Sequence, residues 1–255
     1  MKMNNALTKF KSLHKTTEPL LLANVWDANS AKIAENAGYK ALGSSSHAVA
    51  NAMGYEDGEE ISFEELLFVL KTIVKAVKIP LSVDFEAGYS DDPKQVAKMV
   101  KKLEDIGVVG INLEDGKVVK GKRKLEDPKI LVSKIKAIRK VSPIFINARI
   151  DTYTTKHKNA LEESLKRAKL YAEAGADGIF VPLIETAKDI KTFTENVKLP
   201  LNVFTTENLP TYGRLGKLGV KRISHGAKQY ELLMKNSEKI FKEFLKNKKY
   251  STILG

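Results

Sequence analysis

Four times along the chain, a polar stretch with helical spacing runs into a Gly and then into a short apolar, β-branched run. The instances are AENAGYKALGSSS, LEDIGVVGINLEDG, AEAGADGIFVP and GKLGVKRISHG. The Gly suits a left-handed helix C-cap, and the run after it has the length of a buried strand. Filling the intervals gives eight strand candidates: LLLANVWD, ALGSSS, LSVDFEAG, GINLEDG, IFINARID, GIFVP, LNVFTT and RISHG. Helical stretches such as DPKQVAKMVKKLEDI and HKNALEESLKRAKLYAEA separate them. Strands alternating with helices predict a parallel sheet, and eight such units predict an α/β fold, the (β/α)8 TIM barrel. The doubly wound alternative would carry a Gly-rich fingerprint after its first strand, and none is there. No linker or low-complexity segment divides the chain, so residues 1–255 read as one barrel domain, with about 228–255 as a C-terminal helical tail. In that tail YELLMKNSEKIFKEFL spaces its apolar residues at helical intervals. Such a face can pack on a partner subunit or on its own barrel.

A barrel of this kind puts its active site at the C-terminal strand ends. The first strand ends there in Trp26 and Asp27, the second in Gly43, Ser44, Ser45 and Ser46, and the last in Ser224, His225 and Gly226. The third offers Asp84 and Glu86, the fourth Glu114 and Asp115, and the fifth Arg149 and Asp151. Residues i and i+2 of a strand point the same way, so Asp84 and Glu86 aim into one space. That costs repulsion unless a cation or a shared proton lies between them. Asp84, Glu86 and Glu114 are hard oxygen ligands with no soft partner, a set that suits Mg2+ or Mn2+. The competing reading is a salt-bridge network with Arg149 and nearby lysines. Arg149 has the fork geometry to clamp a carboxylate or phosphonate, and GSSS could cradle an anion with hydroxyls and backbone N–H groups. Asp57 sits in NAMGYEDGEE, a Gly-punctuated loop of the kind that closes over a site. His225 reads as a hydrogen-bonded structural residue.

Composition narrows the class further. A chain of 255 residues, 43% hydrophobic and 29% charged, has material for a large core, and no apolar run approaches a membrane span. MKMNNALTKFKSLHK lacks the apolar region of a signal peptide, so the expected location is cytoplasmic. The absence of cysteine excludes disulfides, thiolate nucleophiles and Cys-ligated metals. The net charge of +12 invites a nucleic-acid reading. The lysines are dispersed, however, and the dense runs KVVKGKRK and KNKKY have no interleaved bases-stacking aromatics. The expected partner is a small anionic substrate, not nucleic acid or membrane. A Schiff-base aldolase would need a strand lysine pointing inward, and none of the eight candidates has one.

Taken in order, NVWDANSAKIAENAGYKALGSSSHAVANAMGYEDGEE, VDFEAGYSDDPKQVAKMV, GINLEDG and INARIDTY resemble the isocitrate lyase / phosphoenolpyruvate mutase superfamily. The resemblance runs from about Asn24 to Gly226. It implies a (β/α)8 barrel whose terminal helix swaps between subunits of a dimer or tetramer, a bound Mg2+, and chemistry on 2-oxo acid or enolpyruvate species. By motif it implies that Asp57, Asp84, Glu86 and Glu114 hold the metal, largely through water, with Glu86 as the direct ligand. It places Gly43, Ser44 and Ser45 at the anion, Trp26 as an aromatic wall and Arg149 on the substrate. Arg149, Asp57 and Lys120 are the candidates for catalytic roles, and no residue is assigned as general acid or base. Isocitrate lyases carry a Lys-Lys-Cys-Gly-His loop after the metal glutamate; here the segment is GKVVKGKRKLED, which excludes thiol-dependent lyase chemistry. Lys120 or Lys122 of that segment could close over the anion or form a solvated run. The resulting expectation is a Mg2+-dependent enzyme that breaks or rearranges a C–C or P–C bond through an enolpyruvate-like intermediate. The alternative is a degenerate barrel that binds a metabolite without turning it over.

Overall fold

The computed structural model describes residues 2–254. In chain order the elements are α1 (Lys2–Leu13), β1 (Leu20–Val25), α2 (Ala28–Asn36), β2 (Leu42–Ser44), α3 (Ser46–Ala52), α4 (Phe63–Ala76) and β3 (Leu81–Asp84). There follow α5 (Pro93–Asp105), β4 (Gly110–Glu114), β5 (Gly116–Val119), β6 (Lys122–Leu125), α6 (Pro128–Arg139) and β7 (Phe145–Arg149). The chain continues with α7 (Ala160–Ala174), β8 (Gly178–Phe180), α8 (Ala187–Asn196), β9 (Leu201–Phe204), α9 (Tyr212–Lys217), β10 (Arg222–Ser224), α10 (Lys228–Asn247) and α11 (Ser251–Leu254). Eight parallel strands close in the order β1-β2-β3-β4-β7-β8-β9-β10, so all eight expected strands join one (β/α)8 barrel.

Local chemistry sets these boundaries. Asp27 and Ser30 form a capping box that starts α2, and Ser62 with Glu65 does the same for α4. α5 and α6 both open on Asp-Pro: the Asp side chain caps while Pro, which has no N–H to leave unbonded, takes the first helical position. Gly175 closes α7 with φ 110°, the left-handed cap anticipated from AEAGADG. Val96, Ala97, Val100 and Leu103 are the buried stripe of α5. Ile111 and Leu113 of β4 are fully buried, whereas the alternate residues Asn112 and Glu114 belong to the polar interior.

Two elements were not expected. Helix α1 covers one barrel end, where Leu7 and Phe10 cluster with Leu20, Leu22, Ala41, Val109 and Phe145. Most of these sit at strand starts, so α1 closes the N-terminal end and leaves the C-terminal end for a ligand. The second is the antiparallel hairpin β5–β6, in the segment expected to be a basic loop. Val119 pairs with Lys122, leaving Lys120 and Gly121 as a two-residue turn with φ 52° and 70°. Positive φ at both positions is the type I′ geometry that matches strand twist. Among the described residues no helix is long and apolar enough to cross a membrane.

Candidate active site

β3 and the turn after it deliver the first acids. Asp84 is the last residue of the strand, and its backbone N–H donates to Ser44 Oγ at 2.9 Å. Ser46 Oγ donates to Asp84 Oδ2 at 3.0 Å, while Asp84 Oδ1 is buried without a hydrogen-bond partner. Ser45 Oγ accepts from the Ala48 N–H at 3.3 Å and caps α3. The GSSS turn therefore positions Asp84 and starts a helix; Ser44 and Ser45 act as acceptors in these bonds, so their O–H groups can still donate to an anion. Gly43 is required by packing, since a Cβ there would lie 2.7 Å from Leu22 Cδ2.

Glu86 reaches the same space by a route other than strand alternation. β3 ends at Asp84, and Glu86 takes φ 47°, a left-handed conformation costly for a non-glycine residue. Its backbone is anchored on both sides. The Glu114 N–H donates to Glu86 O at 2.9 Å, and Lys134 Nζ, reaching from α6, donates to Ala87 O at 2.7 Å. Tyr89 stacks on Phe85 at 5.5 Å and donates its backbone N–H to Glu59 Oε1 at 2.8 Å. The Glu86 carboxylate, only 3% exposed, accepts from the Glu59 N–H and from Tyr89 Oη, both at 3.3 Å. Burial first, then the charges of Asp57, Glu114, Asp84 and Glu59, pushes its pKa up to about 9. Burial also raises the Asp84 carboxyl, against the pull of Arg149.

Across the mouth the acids are paired. Arg149 Nη1 lies 2.8 Å from Glu114 Oε2, its Nε donates to Asp151 Oδ1 at 2.9 Å, and Nη2 is 2.9 Å from the same oxygen. Arg123 from β6 bonds Glu114 and also reaches Asp151 Oδ2 at 3.0 Å. Burial still dominates at Glu114 and pushes it up to about 8; the two arginines hold Asp151 below the usual carboxylate range against its own burial. Behind them Arg167 and Tyr171 hold Asp115 Oδ2 at 3.1 and 2.6 Å. Gly116 is glycine because a Cβ there would stand 2.2 Å from Asp151 Oδ2.

The expected residues thus divide. Asp57, Asp84, Glu86 and Glu114 form one electrostatic cluster, and Arg149 joins it as a partner of Glu114. Asp57 Oδ1, like Asp84 Oδ1, is buried and unpartnered. Trp26 instead packs edge-on against Tyr230 at 5.2 Å and is absent from the cavity lining. Lys120 stands exposed at the hairpin tip, away from the acids; the basic residue of that segment that enters is Arg123. His225 Nε2 accepts from the Asn24 N–H at 3.2 Å, while its Nδ1 is buried without a hydrogen-bond partner among the described residues. Asp151, placed with Arg149 at the fifth strand end by the sequence, joins the site, and Arg123, Glu59 and Tyr89 complete it without having been assigned a role. Between the acids and strands β8–β10 lies a cavity of about 190 Å3 bounded by Asp84, Arg149, Phe180, Leu183, Phe204 and Ser224.

Residues 10–245 match the model of the phosphoenolpyruvate phosphomutase family. The chain belongs to that family. An uncharacterized protein of Mycobacterium tuberculosis is 36% identical over 222 residues, 87% of this chain and 83% of that one. The 2-methylisocitrate lyase of Halalkalibacterium halodurans is 29% identical over 91% of this chain and 80% of its own. A solved phosphonopyruvate hydrolase, in complex with oxalate and Mg2+, superposes with a TM-score of 0.85 over 95% of this chain and 87% of that one. At 21% identity it attests the shared fold.

Whether this phosphomutase-family site suits a divalent ion is a question for its donors. Among the described residues no three His, Cys, Asp or Glu side chains converge closely enough to chelate one ion directly. Yet, among the described residues, Asp57 Oδ1 and Asp84 Oδ1 are buried without a hydrogen-bond partner, and the charges that act most on Glu86 are those of other acids. An excess of buried negative charge with unbonded oxygens fits a hydrated hard cation, whose waters span the remaining gaps. Asp57, Asp84 and Glu86 are the residues placed to hold it; Glu114 is already bridged by two guanidinium groups.

Proposed function

We propose that this chain is a Mg2+- or Mn2+-dependent enzyme acting on a small 2-oxo acid, breaking or rearranging a bond next to an enolpyruvate-like unit. The superfamily of lyases and phosphomutases to which it belongs acts on 2-oxo acids and phosphonates. The observation that carries the reading is the uncompensated acid group Asp57, Asp84 and Glu86 at the open barrel end, in a member of that family. When bound, a divalent ion supplies a Lewis acid for charge developing on the 2-oxo oxygen. Ser44 and Ser46 hold Asp84 in place. Tyr89 and the Glu59 backbone orient Glu86. Of the five N–H groups of Arg149, three face Glu114 and Asp151, which leaves two for a substrate carboxylate. Burial and the neighbouring acids favour the protonated form of Glu86 at neutral pH, and a cation held there would favour the ionised form instead.

A second reading, a barrel that binds its ligand without turnover, draws on one observation: Glu114 is tied to Arg123 and Arg149, and Arg149 is the one basic side chain lining the cavity among the described residues. Thermal stabilisation by oxalate, with and without Mg2+, tests the shared premise. A ligand that binds only the folded state stabilises it by RT ln(1 + [L]/Kd). A shift that requires both Mg2+ and oxalate supports the metal-chelate site; no shift under either condition rejects it. Turnover in a 2-oxo acid screen then separates enzyme from binding protein.

A further inference from the structure

The cavity at the barrel mouth has two unlike sides. Its polar side carries Asp84, Arg149, Asn24 and Thr154; its other side is Phe180, Pro182, Leu183 and Phe204. The polar groups are largely committed within the protein. Asn24 Oδ1 accepts from the N–H groups of His225 and Gly226 at 2.9 Å each, and its Nδ2 donates to Ser44 O at 3.2 Å. Thr154 Oγ1 lies 2.8 Å from both Asp151 O and Oδ1. Arg149 is shared between Glu114 and Asp151, and it is the one cationic side chain bounding the cavity among the described residues. A ligand with one carboxylate can use what Arg149 has left. A second anionic group at the far end of the ligand, beyond reach of the ion that Asp57, Asp84 and Glu86 would hold, faces aromatic and aliphatic carbon.

The apolar side is built rather than incidental. The Phe180 ring lies under the Arg149 guanidinium at 5.7 Å. Phe204 rests so closely on Gly226 that a Cβ there would come within 2.6 Å of the ring. Leu183 is held at φ 62° and is 39% exposed. A branched apolar residue rarely occupies that left-handed region, and an exposed one gains little burial in return. Its strained backbone sets a hydrophobic side chain at the cavity edge, where a ligand would cover it.

We propose that the site selects a monocarboxylic 2-oxo acid with an apolar chain, its carboxylate toward Arg149 and its chain against Phe180, Leu183 and Phe204. This rests on the 2-oxo acid reading above and names the substrate class within it. Leu183 is then a specificity-determining residue.

Titration calorimetry in saturating Mg2+ tests this with pyruvate, 2-oxobutanoate, 2-oxopentanoate and oxaloacetate. Each added methylene that enters the apolar side tightens binding by about fourfold, and oxaloacetate binds no better than pyruvate. Leu183→Gly keeps the fold, because glycine takes a positive φ without strain, and it lowers the gain per methylene. A flat series, or oxaloacetate binding more tightly than 2-oxopentanoate, overturns the inference. An unaltered gradient in Leu183→Gly removes Leu183 from it. Oxalate with Mg2+ is measured alongside: lacking any chain, it reports on the chelate site. Its failure to bind rejects the proposed function, whereas its binding beside a flat series rejects only the apolar-chain assignment.

Discussion

At the scale of the residue, Glu86 concentrates the logic of the site. It is strained, nearly buried, and surrounded by Asp57, Asp84, Glu114 and Glu59. Its carboxyl titrates at about 9 in the folded chain against 4.5 ordinarily, so between these values the folded state binds the extra proton. Stability without metal therefore falls as pH rises from about 5 to 9, and Glu114, pushed up to about 8, adds a slope of the same sign. Divalent-ion affinity runs the other way. Binding displaces the proton, so Mg2+ affinity should rise with pH, up to about tenfold per unit per proton released, and level off above about pH 9. Calorimetry across pH 6–10 reads this directly; a flat profile would remove Glu86 from the ion. Glu86→Gln keeps a similar shape and removes the titration. At pH 8 the metal-free variant should melt a few degrees higher than wild type, about 2–4 °C for each 1 kcal/mol no longer spent on keeping a carboxyl protonated there in a chain of this size. The same variant should lose the stabilisation that Mg2+ and oxalate give together. A lower melting temperature with that stabilisation retained would show that Glu86 is a structural acid.

At the scale of the element, the β5–β6 hairpin carries a residue the site depends on. Its tip lysine is exposed, but β6 sends Arg123 back to Glu114 and Asp151. The loop bearing Asp57 leans on the same hairpin, where a Cβ on Gly58 would stand 2.9 Å from Val118 Cβ. Arg123→Ala leaves two buried carboxylates short of a donor and should cost about 1–3 kcal/mol in denaturant unfolding. Lys120→Ala should stay within about 0.5 kcal/mol and leave ligand binding unchanged; equal effects of the two would contradict the geometry. The contrast shows where sequence reading stops. The eight barrel strands were legible because each is a short apolar run between helical stretches, most of them bounded by a helix-ending Gly or by acids. Asp57, Asp84, Glu86 and Glu114 were legible as acids at neighbouring strand ends. Arg149 beside them was legible too; which basic residue of the hairpin joins them was not, because KVVKGKRKL folds back only through positive φ at Lys120 and Gly121, and lysine gives no warning of that. Phe180 and Phe204 lie in the strand candidates GIFVP and LNVFTT with no role legible there, since an aromatic at a strand end looks the same whether it meets a helix or a ligand.

At the scale of the whole molecule, the apolar residues of the C-terminal tail remain uncovered. Along α10 and α11, Leu232, Phe241, Leu245, Tyr250 and Leu254 are between 59% and 81% exposed, while Tyr230 at the start of α10 is buried. Large apolar side chains left exposed along one tail, with Phe241 and Leu245 one helical turn apart, mark an interaction surface. We propose that a second copy of the chain covers it. The net charge of +12 makes that pairing work against long-range repulsion between like copies. The salt response therefore distinguishes the forces. An apolar interface should tighten between 0.05 and about 0.5 M salt, as the Debye length shrinks from above 10 Å toward a few ångströms. Nucleic-acid binding through the dispersed lysines would weaken steeply over the same range. Light scattering behind size exclusion should give a mass at a multiple of the 28.3 kDa chain. Phe241→Asp with Leu245→Asp should return it to one chain with an unchanged circular-dichroism spectrum, because neither side chain contributes to the barrel core. A wild-type mass of one chain at both salt concentrations would leave the surface to some other occupant and refute self-association.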